Sequence, residues 1–175
     1  MRGAIQNLPA GAAIGCVNSP LGPFTAICSS AGLLAVRYPS SPSLAAPGAP
    51  DAVASKLLEL TLGELRGYFL GSLRAFSVPL DLRGTLFQQS VWEAVRGVPY
   101  GEIRGYGELA GALGRPAAAR AVGHANGSNP LPIVVPCHRL VGADGALRGY
   151  GGGLPIKRWL LDHERRTVAM NPDRS

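Results

Sequence analysis

Gly114 and Pro116 stand two residues apart between GYGELAGAL and AAARAVGHAN, and that punctuation leaves the chain little choice. A glycine just past a helical stretch takes the left-handed conformation that closes a helix, and a proline suits the first position of the next, where its missing N–H is not needed. Two short helices joined by a tight turn follow, a helix-turn-helix. Upstream, Thr85 with Gln88 three residues later forms a capping box for TLFQQSVWEAVRGV, with Phe87, Val91, Trp92 and Val95 as its apolar face. The turn PYGE connects that helix to the pair.

The second helix of the pair is almost bare. Ala117, Ala118, Ala119, Ala121, Gly123 and Ala125 leave Arg120, Val122, His124 and Asn126 as its larger side chains. Two helices packed in a core give the same punctuation, but a core helix normally buries larger groups. A backbone that must come close to its partner demands small ones, as in a DNA minor groove about 6 Å wide. The composition therefore favours a DNA contact. Charge agrees without deciding: the net charge is +6, with 5 basic and 3 acidic residues in positions 1–80 and 12 and 8 in the remainder. Arginine carries nearly all of it, since Lys56 and Lys157 are the only lysines. A polyanion partner fits, and so does an ordinary soluble basic protein.

The first part reads differently. GAAIGCVN, FTAICSS and LLAVRY alternate like short strands, with SPLGP as the first turn, and predict a small antiparallel meander. A Pro/Ser/Ala loop runs from Pro39 to Pro50. Asp51 then caps a helix in which Val53, Leu57, Leu60, Leu65, Phe69 and Leu73 fall near helical spacing. The expected class is α+β, with an N-terminal domain over 1–82 and a C-terminal domain over 83–175.

Three cysteines, Cys16, Cys28 and Cys137, with no CxxC pair, argue against a disulfide framework or a four-thiolate zinc site and suit a reducing compartment. Arg2 precedes a stretch broken by Pro9, Gly11 and Asn18, so neither a secretory core nor a membrane span is expected. The expected location is the cytoplasm.

The segment IVVPCHRLVG, Ile133 to Gly142, concentrates the chemistry. A cysteine taken at random is a small buried hydrophobe. Here Pro136 fixes the backbone before Cys137, His138 follows at once, and IVV predicts a strand whose end holds the thiol at a cleft edge. The histidines, His124, His138 and His163, show no ligand spacing that brings them to Cys137, which discounts a metal. A nucleophile needs a thiolate, hence a histidine to take its proton and a group to orient the ring, for which Glu164 is the best carboxylate. Adjacent side chains of an extended segment point to opposite faces, so a turn or a bridging water must join Cys137 to His138.

PCHR within this segment, preceded by AAARAVGHANGSNP and followed by GYGGG and KRWLLDHE, resembles the O6-alkylguanine-DNA alkyltransferases, also called methylated-DNA protein-cysteine methyltransferases. The match runs from about Asp81 to Arg166, and SPLG extends it weakly toward the N-terminus. The resemblance implies a ribonuclease-H-like N-terminal domain and a winged-helix-like C-terminal domain that binds the minor groove of double-stranded DNA as a monomer. It implies that Cys137 takes the alkyl group irreversibly from O6-alkylguanine, and from O4-alkylthymine, in flipped-out bases, once per molecule and without a cofactor. By position, His138 takes the thiol proton through a water and Glu164 holds the imidazole. Tyr106 donates to the guanine ring and Asn129 braces the PCHR turn. Arg120 fills the vacated stack, with Arg115 and Ala119 beside it on the DNA. Leu140, Tyr150 and the glycines Gly151, Gly152 and Gly153 line the pocket. Gly105, where a serine is frequent, and Gly151, where some members carry a hydroxyl, depart from the common pattern. Cys16 and Cys28 do not fall on the zinc ligands of some members, and no metal is expected.

Two other classes remain open on spacing. A cysteine hydrolase built on Cys137, His138 and Glu164 predicts turnover and an oxyanion pocket. A non-enzymatic DNA-binding module, a regulator or a lesion-recognition protein, fits the helix pair, but the lesion-recognition relatives lack the reactive cysteine.

Overall fold

The structure, a computed structural model, describes residues 8–44 and 48–171. The segment carrying Arg2 and the middle of the Pro39–Pro50 loop lie outside the described residues; the described parts of that loop form neither helix nor strand. The chain divides into two compact units, the division falling between Arg83 and Gly84. Among the described residues, no helix is long and apolar enough to cross a membrane.

The first unit is an antiparallel meander of β1 (Ala13–Val17), β2 (Phe24–Ser29) and β3 (Gly32–Arg37), followed by α1 (Ala52–Phe69). Alternating apolar residues make the strands, and Asp51 starts the helix by accepting from the amides of Val53 (2.7 Å) and Ala54 (3.2 Å). Beyond α1 the chain returns to β3, where Leu33 N donates to Pro79 O at 2.7 Å and Asp81 N to Leu33 O at 2.9 Å. Gly32 permits this approach, since a Cβ there would lie 2.4 Å from the Pro79 carbonyl oxygen. The α1 carboxylate Glu64 binds the same return segment, accepting from Ser77 N at 2.8 Å and Val78 N at 3.2 Å.

The expected apolar stripe of α1 is partly wrong. Val53 is 51% and Leu60 41% exposed, and Leu73 lies beyond the helix end at Phe69. The buried stripe is Ala54, Thr61, Glu64, Leu65, Tyr68 and Phe69. The sheet comes close: a Cβ on Gly15 of β1 would lie 2.9 Å from Leu62 and 3.1 Å from Leu58. The small Gly15 makes room for those leucines, and the buried stripe runs one position round from Val53 and Leu60.

The second unit contains α2 (Leu86–Arg96), β4 (Arg104–Gly105), α3 (Tyr106–Ala112), α4 (Ala119–Gly127), β5 (Leu140–Val141) and α5 (Leu154–Met170). The Thr85–Gln88 capping box forms in both directions, at 3.2 and 2.9 Å. Trp92 ties α2 to α4 through Nε1–H, which donates to Ala125 O at 2.8 Å. Gly114 has φ 69° and closes α3, and Pro116 opens a short 3-10 turn, Pro116–Ala118, that runs into α4. The short strands β4 and β5 pair in parallel, bringing the start of α3 beside the segment that follows Cys137.

The expected IVV strand does not form. Residues 131–135 make a compact turn in which Val135 N donates to Leu131 O at 2.8 Å and Ile133 adopts φ 76°. Every residue from Leu131 to Val141 is buried. Burial alone explains the β-branched composition, with no sheet ladder to pair it.

Candidate active site

Cys137 opens a 3-10 turn, Cys137–Arg139, instead of ending a strand. The turn is tight, with Cys137 N donating to Val135 O at 2.7 Å and Arg139 N to Pro136 O at 2.9 Å. Two asparagines hold it from the α4 side. Asn129 Nδ2 donates to Val135 O at 2.9 Å while its Oδ1 accepts from Leu131 N at 2.9 Å. Asn126 Nδ2 donates to the Cys137 carbonyl at 3.2 Å. The thiol is 4% exposed, and burial pushes its pKa up. Asn129, Tyr150 and the charge of Lys157 pull the other way without overcoming it, so the resting group is the thiol.

His138 and Glu164 are both wholly buried, with His138 Nε2 2.8 Å from Glu164 Oε1. Burial by itself would raise the Glu164 carboxyl, but the charges and hydrogen bonds of His138 and Arg139 outweigh it and hold that carboxyl well below the usual range. An ionised carboxylate only accepts, so Nε2 carries the imidazole proton. Burial lowers the His138 pKa against the pull of Glu164, and the ring is neutral. Its Nδ1 is therefore a lone-pair acceptor, and it is buried without a protein partner. A turn thus sets an unprotonated nitrogen next in sequence to the thiol.

Sequence reasoning missed three side chains and one backbone amide. Arg139, next in the motif, grips Glu164 through Nε (2.9 Å) and Nη2 (3.0 Å) and donates through Nη1 to Val98 O. Gly101 N adds a bond to Glu164 Oε2 at 2.9 Å. Lys157 of α5 is buried, its Nζ donating to Leu140 O at 2.6 Å and Arg148 O at 3.2 Å, 5.9 Å from the centre of the Tyr106 ring. Burial lowers its pKa, and Cys137 opposes that. The third is Asn126. Asn126 stands at helical spacing from Val122 and Gly123, and Lys157 from Leu160 and Leu161, but neither spacing says where the side chain ends.

Tyr106 begins α3, half-buried, and its hydroxyl is raised in pKa by burial and then by Cys137. Tyr150 is half-buried and acts on the thiol as a hydrogen-bonding neighbour that lowers its pKa, and Leu140, buried, ends the 3-10 turn. Gly151 is exposed and Gly152 half-buried in the turn ahead of α5, which Gly153 caps with φ 90°. Arg115, Ala119 and Arg120 are not brought to the thiol. Arg115 and Arg120 are exposed and Ala119 half-buried, with the Arg115 guanidinium 5.4 Å from the centre of the Phe87 ring. Arg120 and His124 line an open cleft of about 480 Å³ together with Thr85, Phe87 and Gln88.

The site sets one buried free cysteine beside a buried histidine–carboxylate pair and a helix pair. Two family profiles place it further: one described as 6-O-methylguanine DNA methyltransferase, DNA binding domain, matches residues 86–166, and one described as its ribonuclease-like domain matches residues 14–82. The methylated-DNA–protein-cysteine methyltransferase of Mycobacterium tuberculosis is 47% identical over 154 residues, covering 85% of this chain and 90% of its own. The protein of the same name from Mycolicibacterium paratuberculosis is 59% identical over 103 residues, 59% of this chain and 62% of its own. A crystal structure of Mycobacterium tuberculosis OGT in complex with DNA superposes with a TM-score of 0.79 at 46% identity, covering 88% of this chain and 93% of that one. The chain belongs to the 6-O-methylguanine DNA methyltransferase family.

Proposed function

We propose that this protein repairs alkylated DNA by moving the alkyl group from O6 of guanine to Cys137, where it stays. The observation that carries the reading is the locked imidazole: Glu164 fixes the His138 proton on Nε2 and leaves Nδ1 as the base. The thiol proton passes to Nδ1 through a water, and the thiolate attacks the alkyl carbon. An S–C bond forms as the C–O6 bond breaks, its electron pair leaves with the base, and the base regains a proton on the ring. Tyr106 donates a hydrogen bond to the departing guanine, relieving its charge. The thioether is inert to water, because nothing turns the cysteine sulfur into a leaving group, so each molecule acts once.

The DNA lies along α4, whose small residues admit the minor groove. Arg120 enters the stack left by a flipped base, Arg115 and Ala119 touch the backbone, and Leu140, Tyr150, Gly151 and Gly152 receive the base. O4-alkylthymine is a second substrate. The protein acts as a monomer in the cytoplasm, where Cys137 stays reduced.

The test is intact mass before and after incubation with duplex DNA containing O6-methylguanine. One methyl per protein, on the peptide carrying Cys137, is expected. Turnover beyond one equivalent, or methyl on Cys16 or Cys28, overturns the reading.

A further inference from the structure

We propose that Asn126 is a positioning residue that joins the Cys137 turn to Tyr106, so that nucleophile and leaving-group donor are held by one side chain. The inference rests on the alkyl-transfer reading above. Asn126 is 5% exposed on α4, and one of its two amide N–H groups is spent on the Cys137 carbonyl at 3.2 Å. Reversing the amide would set Oδ1 against that carbonyl, so the orientation is fixed. Oδ1 is buried without a protein partner, a cost to stability that the fold bears at this position.

The same helix face meets Tyr106. Gly123, one turn earlier, has only open contact toward it: a Cβ there would lie 3.8 and 3.9 Å from Cδ1 and Cε1 of the Tyr106 ring. The Tyr106 ring therefore packs over Gly123, one helical turn from Asn126 on α4. Asn126 acts on that hydroxyl as a hydrogen-bonding neighbour, drawing its ionisation down while burial pushes it up. A donor to the phenol oxygen makes the phenol a better acid and turns its own proton away from Asn126, toward whatever occupies the site. Removing the amide releases both ends of the link: the Cys137 carbonyl loses a donor, and Tyr106 loses its anchor.

A double-mutant cycle between Asn126→Leu and Tyr106→Phe separates this role from a structural one. Single-turnover methyl transfer from duplex O6-methylguanine is measured for all four proteins across pH. Asn126→Leu is expected to slow transfer on the order of 100-fold in the Tyr106 protein, where both ends of the link are lost, and roughly tenfold in Tyr106→Phe, where only the Cys137 carbonyl loses its donor. The alkaline limb of the rate profile moves to higher pH in Asn126→Leu. Equal losses in the two backgrounds, or none in either, overturn the proposal. Should Asn126→Leu not fold, Asn126→Ser, smaller and still polar, is read in the same cycle against the same criterion. Absence of transfer by the unsubstituted protein overturns the functional reading instead, which keeps the two failures distinct.

Discussion

His138 Nε2 and Glu164 Oε1 lie 2.8 Å apart with neither side chain reaching solvent, and this single contact decides which imidazole nitrogen faces the chemistry. The carboxylate is not dedicated to the histidine, because Arg139 and the Gly101 amide share it.

Cys137→Ser is expected to abolish transfer while leaving fold and duplex binding intact. A hydroxyl keeps the shape of the thiol, but its proton is far too tightly held for an imidazole to remove. Mass spectrometry reads transfer, and gel-shift titration reads binding. Loss of duplex affinity together with the fold would mean that the thiol is structural.

Glu164→Gln should do more than slow transfer. The amide restores neither the charge that Arg139 faces nor an acceptor at both positions, and stranding a buried charge costs about 3–5 kcal/mol. A fall of that order in urea unfolding, with slower methyl transfer by the folded fraction, is the expected pair of results. Unchanged stability would show that Arg139 finds another partner.

Stability should also decline as pH falls. The folded-state pKa of His138 is depressed, so its contribution is complete above the unfolded value near 6.5 and is lost as pH drops toward the folded value. Glu164 is depressed too, and adds a second loss below its unfolded value near 4.3. Both slopes have the same sign. Urea midpoints at pH 7.5, 6 and 5 should fall in that order, and a flat profile would mean that the imidazole is not buried neutral.

Arg120→Ala separates a stacking role from a phosphate contact. If the arginine fills the space of a flipped base, duplex repair should fall on the order of 10- to 100-fold while reaction with free O6-alkylguanine hardly changes. A phosphate contact would mainly weaken binding and lower its salt dependence by about one counterion. Equal losses on both substrates would indicate damage at the pocket. Single-turnover rates on both substrates at two salt concentrations give the answer.

The helix pair and the capping box were legible from local chemistry, Cys137 and His138 from a short motif, and Glu164 from the family the sequence resembles. The Ile133–Val135 segment was not: β-branched residues signal burial as readily as pairing, and nothing local announces that Ile133 takes φ 76°. That error placed Cys137 on extended backbone, where a turn holds it. On α1, Val53 and Leu60 satisfied the helical period, yet Ala54 and Thr61, one position further round, took the buried face, because a period does not fix the stripe to a single residue. Asn126, Arg139 and Lys157 act at the tips of side chains that reach across the fold, and such contacts have no sequence period.

The Glu164 cluster also governs what a titration counts. Through Arg139 it fastens the Val98 carbonyl, through Gly101 the following turn, and through its own backbone α5, so the group that steers the base is also a clasp across three segments. A copy that has lost the clasp has lost its base, and a copy with the base in place has the clasp closed. Foldedness and competence then share one fate, and in a one-shot protein the number of alkyl groups accepted is a census of the intact molecules present.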